Sequence, residues 1–230
     1  MQEPGILYVV ATPIGNLEDV TLRALRVLQE VDGILCEDTR VTKRLLERYK
    51  IVKPLKSYHA HSKLSQTQRV LSLLEQGKNL ALVSDAGTPC ISDPGVALVA
   101  QVREYFGVRA QVVPLPGPSA VLSALSASGL PSSDFLFLGF LPHKKGRETL
   151  FQEIAASQRT VVFYESPHRI LKTLTSLAEH LDSPRIVVVA RELTKVHEEV
   201  VCGTAANVLL SYTDHADKVK GEFVVMVSGK

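Results

Sequence analysis

The chain has 230 residues, 45% of them apolar and 22% charged, with a formal net charge of +2. That is enough chain to bury a large core as one domain or two small ones, and no uninterrupted apolar run approaches the roughly 18 residues of a membrane span. Its start, MQEPGILYVVATP, lacks the basic opening and small-residue cleavage pattern of a secretory signal, so the expected address is cytoplasmic and no membrane partner is expected. Cys36, Cys90 and Cys202 are odd in number and far apart, which argues against a disulfide framework or a CxxC site. All three read as small buried or half-buried residues.

Strand-like runs alternate with segments of helical period. The strand candidates are ILYVVA (6–11), GILCE (33–37), a weaker KPLKSY (53–58), LALVS (80–84), QVVPL (111–115), DFLFLGF (134–140), TVVFYE (160–165), IVVVARE (186–192), roughly 196–203, and EFVVMV (222–227). Between them, helices are expected over about 20–31, 41–50, 64–76, 95–106, 119–128, 147–157, 168–181 and 204–211. In the first of these, Ala24, Val27, Leu28 and Val31 repeat at helical spacing and Asp19 is the expected cap. Near-continuous apolar strands alternating with helices imply an α/β fold with strands buried on both faces.

PLPGPSA (114–120) is the natural cut, because three prolines in five residues resist both helix and strand. Two α/β domains follow, 1–113 and 120–230, joined by a linker at 114–119. The first should hold a mainly parallel sheet. The second ends in strands with little helix between them, so its sheet should be mixed.

Charge is unevenly placed. From Arg40 to Arg69 nine Lys or Arg stand against the single acid Glu47, a local net of +8 that leaves −6 on the rest of the chain. A solvated helix face explains most short charge runs; this long, nearly single-signed one points to a polyanionic partner. Arg40, Lys43, Arg44, Lys56, His59 and Lys63, together with Lys144, Lys145 and Arg147 from HKKGR (143–147), are the expected phosphate-gripping residues.

Breakers cluster after four strands: TPIGNLED (12–19), EDTR (37–40), SDAGTPCISDPG (84–95) and PLPGPS (114–119). Open parallel sheets bind ligands at the carboxyl ends of their strands, and glycine and proline there let backbone approach a ligand with little entropy left to lose. Ordinary turn chemistry explains one such loop better than four on one edge. GxxxxGK[ST], GxGxxG and GxSxG are all absent. His59 and His61 would share a face in an extended segment, yet no further ligand stands at a completing distance, so no metal is expected.

LYVVATPIGNLEDVTLRAL (7–25), CEDTRVTKRLL (36–46), LVSDAGTPCISDPG (82–95), VPLPGPSA (113–120), FYESPHRI (163–170) and ARELTKVHEE (190–199) together resemble the successive blocks of the ribosomal RNA small subunit methyltransferase I family, in the tetrapyrrole-methylase-like class. The resemblance spans nearly the whole chain. It implies two α/β domains with S-adenosylmethionine in a cleft between them, commonly a homodimer, and methylation of a cytidine 2′-hydroxyl in 16S rRNA, at C1402 of the decoding centre in the small ribosomal subunit. Gly87-Thr88-Pro89 stands where tetrapyrrole enzymes tend to carry Gly-Asp-Pro.

Carried onto this sequence, the resemblance makes Pro13 and Gly15 one wall of the cofactor site and Asp85, Gly87, Thr88, Ile91 and Ser92 its floor. Ser119 and Ala120, at a helix start, would meet the methionine carboxylate. Tyr164 and Leu193 are the C-terminal candidates. A base for the hydroxyl proton could be Asp38, His59, Lys195 or Glu198, and spacing chooses none of them. Two rival readings are a same-fold methyltransferase acting on a small molecule such as a corrinoid, and a non-catalytic RNA-binding assembly factor.

Overall fold

The computed structural model describes residues 3–59, 64–182 and 184–230, which form two compact units, Met1–Ser119 and Ala120–Lys230. Among the described residues no helix is long and apolar enough to cross a membrane.

In the first unit β1 (Leu7–Val10), β2 (Gly33–Cys36), β3 (Leu55–Ser57), β4 (Leu80–Val83) and β5 (Val112–Leu115) form one sheet in the order β3-β2-β4-β1-β5, every pair parallel. Each parallel step needs a crossover, and α1 (Leu22–Glu30), α2 (Thr39–Arg48), α3 (Leu64–Glu75) and α4 (Val96–Phe106) intervene between β1 and β5. Side chains alternate across the pleat. Ile34 and Cys36 of β2, with Ala81 and Val83 of β4, meet Val27, Leu28, Leu45 and Leu46 of α1 and α2. Leu35, Leu80 and Leu82 meet Val70, Leu74, Leu98 and Val102 of α3 and α4 on the opposite face. Burial on both faces is why these strands are apolar at every position.

Two local expectations change. Thr21, not Asp19, caps α1, accepting from the Ala24 N–H at 3.0 Å, because it directly precedes the first helical residue; Asp19 closes a 3-10 turn at Leu17–Asp19. Pro114 and Leu115, which fall in both the strand candidate 111–115 and the linker 114–119, end β5, paired with Val9 and Val10, so the linker is shorter than expected. β5 is an edge strand, where an outward N–H needs no partner and proline is tolerated.

The second unit carries β6 (Phe135–Phe140), β7 (Thr160–Glu165), β8 (Ile186–Arg191), β9 (Glu199–Thr204) and β10 (Phe223–Val227) in the order β6-β7-β10-β8-β9. Only β6 and β7 pair in parallel; the other neighbours run antiparallel, giving the mixed sheet expected. Three helices, α6 (Arg147–Ala156), α7 (Ile170–His180) and α8 (Ala205–Asp214), cover one face with Phe151, Ile154, Leu174, Leu177 and Val208. The other face carries a single helix, α5 (Ala120–Ser128), whose Val121, Ala124 and Leu125 pack on Val162, Val188, Val224 and Met226. Around α5 the sheet is only partly covered, and Phe135, Phe137, Tyr164 and Leu193 lie there half-buried. Cys202, expected to be buried or half-buried, is exposed on the edge strand β9; Cys36 is buried and Cys90 half-buried.

Arg147 is a larger correction. Instead of facing RNA it is 8% exposed, its guanidinium 3.4 Å from the fully buried Glu165 carboxylate and 2.6 Å from the Thr173 hydroxyl, with the Phe151 ring 5.1 Å away. Arg169 Nε holds the other Glu165 oxygen at 2.8 Å, where the Ser166 N–H also donates. Both arginines donate onward to the β6–α6 connection, Arg147 to the Pro142 carbonyl at 3.1 Å and Arg169 to the Leu141 carbonyl at 2.7 Å. The first residue of α6 turns inward because the carboxylate it pairs with is in the core.

Removing one member of such a network leaves buried charge uncompensated, at a cost of about 3–5 kcal/mol. Glu165→Ala should therefore lower unfolding stability by about that much in urea titration.

Candidate functional site: the carboxyl edge of the parallel sheet

Loops after β1, β2, β4 and β5 leave the same edge of the first sheet, and hydrogen bonds tie them to one another. Thr12 and Gly87 form an isolated antiparallel bridge, with N–H to carbonyl distances of 2.9 and 3.0 Å. The Thr12 hydroxyl donates to the Ser84 carbonyl at 3.0 Å, and the Ser84 hydroxyl to Gly87 at 3.1 Å. Asp85 Oδ1 accepts the Asp38 N–H at 3.0 Å, joining the loops after β4 and β2. The Thr88 hydroxyl donates to the Pro118 carbonyl at 3.1 Å, joining the loop after β5.

The breakers follow from this geometry. Gly87 has φ +83° while its backbone pairs with Thr12, a conformation costly for any residue with a Cβ. At Gly95, φ is +128° and a Cβ would stand 2.7 Å from Leu82 Cδ2 and 2.8 Å from Cys90 Sγ. Cys90 and Ser92 hold positive φ without being glycine, at +72° and +63°. Such strain persists only where surrounding structure fixes it, and it gathers at functional loops.

The residues expected at the floor all lie in the loop after β4, in the first unit. Asp85 and Thr88 are half-buried, Gly87 is buried, and Ile91 and Ser92 are exposed. Pro13 is buried beside the Thr12 bridge, and Gly15 is exposed farther along that loop. A recess lined by Thr12, Pro13, Leu17, Val41, Thr42, Leu45, Ser84 and Asp85 lies between the loops. Ser119 ends the first unit. In the second unit Ala120 opens α5, and Ala120, Tyr164 and Leu193 all pack half-buried against the α5 cluster on the partly covered face of the sheet.

A match to the Tetrapyrrole (Corrin/Porphyrin) Methylases family covers residues 6–209. Among solved structures, uroporphyrin-III-C-methyltransferase from Thermus thermophilus shares the fold at a TM-score of 0.66 with 19% identity, covering 97% of this chain and 94% of that one. A second, the cobalamin biosynthetic enzyme cobalt precorrin-4 methyltransferase, gives 0.62 at 16% identity, covering 96% and 94%. Sequence relatives are much nearer. Ribosomal RNA small subunit methyltransferase I of Xylella fastidiosa is 49% identical over all of this chain and 83% of its own length. The protein of that name in Thermotoga maritima is 47% identical over 98% of this chain and 99% of its own. The chain belongs to the ribosomal RNA small subunit methyltransferase I family.

Within this family member the base candidates fare unequally. Asp38 caps α2 and binds Arg40, whose side-chain and backbone hydrogen bonds bring the Asp38 carboxyl down to about 2; so acidic a group is a poor proton acceptor. At Lys195, burial works against the charge, but hydrogen bonds to Glu192 and Glu222, each 2.7 Å, outweigh it and raise the ammonium, so it too is disqualified as a base. Glu198 is exposed and accepts the Thr194 N–H. His59 is exposed beyond β3.

The basic residues divide similarly. Arg40, Lys43 and Arg44 are exposed on α2, Lys43 in a loose 3.6 Å pair with Glu47, and Lys56 is half-exposed on the edge strand β3. Lys144 and Lys145 are exposed ahead of α6. Lys63 and His61 lie outside the described residues. Among the described residues no group of three or more His, Cys, Asp or Glu could hold a metal ion.

Sequence reasoning missed Asp93 and Glu37. Burial, then the Glu37 charge, pushes the half-buried Asp93 carboxyl up to about 6, against a hydrogen bond from Ser84; burial and the Asp85 charge raise Glu37 likewise. The available signal was the second Asp of SDAGTPCISDPG, eight residues from Asp85 in one tightly folded loop.

Between the ordinary value of 3.8 and about 6, folded Asp93 holds a proton that the unfolded chain has released, so stability falls as pH rises through that window. Asp93→Asn removes this penalty. Its stability relative to the parent should be unchanged near pH 4 and gain on the order of 2 kcal/mol at pH 7, read from urea midpoints at the two pH values.

Proposed function

We propose that this protein transfers the methyl group of S-adenosylmethionine to the 2′-hydroxyl of a cytidine in 16S rRNA, at C1402. The observation that carries the reading is the full-length likeness to relatives named ribosomal RNA small subunit methyltransferase I, far above the likeness to tetrapyrrole enzymes. The residues fit the cofactor. Glu37, Asp38, Asp85 and Asp93 place carboxyl groups at one loop edge, a setting that favours a sulfonium and an α-ammonium. Pro13, Gly15, Asp85, Gly87, Thr88, Ile91, Ser92 and Ser119, all in the first unit, would hold it.

When bound, the sulfonium supplies an electrophilic methyl carbon with a good leaving group; the protein's part is alignment and exclusion of water. Hydrogen bonds among the four loops support a floor ordered ahead of binding, with little ordering left to be done. Arg40, Lys43, Arg44, Lys144 and Lys145 supply exposed positive charge for rRNA phosphates. The family resemblance further supports a homodimer as the working unit, and an rRNA substrate supports a cytoplasmic address.

Incubation with labelled S-adenosylmethionine and small ribosomal subunits lacking the modification should label one cytidine, mapped to the 2′-oxygen of C1402. Label on a tetrapyrrole with none on rRNA would contradict the reading. Charge reversal at Lys43, Arg44, Lys144 and Lys145 should weaken RNA binding and flatten log K against log salt by roughly 0.7–0.9 for each phosphate no longer neutralised, with cofactor affinity retained.

A further inference from the structure

Phe140 is held out of the core by the way its strand is built. Along β6, Phe135 and Phe137 face the α5 side of the sheet and Leu138 the side of α6–α8. Strict alternation would send residue 140 to the α6–α8 side, where a phenylalanine could be buried. The register with β7 instead shifts, from Phe137 opposite Val162 to Phe140 opposite Tyr164, so three steps on β6 match two on β7. Gly139, with φ +62°, absorbs the extra residue. One inserted residue flips the face, and Phe140 emerges beside Tyr164, 59% exposed.

The three rings form a graded set. Phe137 meets Tyr164 edge-on, with centroids 5.1 Å apart, and Phe140 meets Tyr164 at 5.2 Å with the planes inclined by 54°. Phe137 and Tyr164 are half-buried, while Phe140 presents its ring to solvent.

The segment that follows is basic and firmly seated. Leu141 is 2% exposed, and the carbonyls of Leu141 and Pro142 are gripped by Arg169 and Arg147, whose charges meet on Glu165. From this seat His143, Lys144 and Lys145 project into solvent, and among the described residues neither lysine is in an ion pair. A rigid exposed aromatic followed within five residues by two unpaired lysines suits one class of ligand. Single-stranded nucleic acid offers base faces to stack and phosphates to neutralise, whereas an apolar protein surface would not call for the lysines.

We propose that Phe140 is a stacking platform for an unpaired nucleobase of the rRNA substrate, with Lys144 and Lys145 on the adjoining phosphates. The proposal rests on the rRNA reading above and adds to it a contact to a base. Arg147, Arg169 and Glu165 act as positioning residues that keep the platform in place.

The test compares Phe140→Ala, Phe140→Leu and Phe140→Trp on unmodified small subunits with labelled S-adenosylmethionine. Phe140→Ala should raise KM for the subunit about 5- to 150-fold, with the salt slope of binding and the cofactor Kd unchanged. Phe140→Trp should restore KM and Phe140→Leu should not, since leucine supplies apolar area without a π face. The ring is exposed, so melting temperatures should match the parent. A Phe140→Ala KM within twofold of the parent would overturn the proposal, as would rescue by leucine equal to tryptophan or a loss confined to cofactor affinity. If the parent protein labels no rRNA at all, the rRNA reading itself fails, a result separable from any of these.

Discussion

Four loops leave one edge of a parallel sheet, and what makes a site of them is a few hydrogen bonds between loops. The Thr12–Gly87 bridge, the Asp38 N–H donated to Asp85 and the Thr88 hydroxyl on Pro118 link all four. The bridge holds Gly87 at positive φ, and the same loop carries positive φ at Cys90, Ser92 and Gly95. The strands supply the foundation, because a sheet buried on both faces cannot shift without opening two cores at once. Loop positions are thus inherited from the core, and the carboxyl groups they carry are preset.

The second unit solves a different problem with different chemistry. Its sheet is loaded on one face by three helices and on the other by α5 alone, which leaves Tyr164 and Leu193 half-buried. There the organiser is electrostatic. Glu165, fully buried, gathers Arg147, Arg169, Thr173 and the Ser166 N–H, and through the arginines secures Leu141 and Pro142. A charge placed in the core to hold a surface loop trades stability for a fixed geometry.

The parallel strands were legible in the sequence because double-sided burial leaves uninterrupted apolar runs, and the loop edge was legible because strained turns need glycine and proline. Features decided by distant partners were not. HKKGR reads as one basic cluster, and nothing local separates Arg147 from Lys144 and Lys145; its partners Glu165 and Thr173 stand 18 and 26 residues on. Pro114 falls both in a strand candidate and in the proline-rich linker, and the edge position of β5 decides for the strand. Cys202 reads as buried from residue type, although an edge strand exposes it. Asp93 is marked locally only as the second Asp of SDAGTPCISDPG; its raised carboxyl comes from burial and from Glu37 on another strand's loop. Phe140 ends the strand candidate 134–140, and nothing local shows that a register shift in β6 turns it outward.

Asp85 joins the two halves of the account, since one oxygen anchors the Asp38 backbone while the carboxylate charge is assigned to the cofactor. Asparagine keeps an acceptor for that N–H and removes the charge. Calorimetric titration of Asp85→Asn with S-adenosylmethionine, beside its melting curve, therefore separates the roles. Asp85→Asn should melt like the parent while its cofactor affinity falls at least tenfold, about 1.4 kcal/mol. Parent-like affinity would contradict it and leave Asp85 as a turn residue.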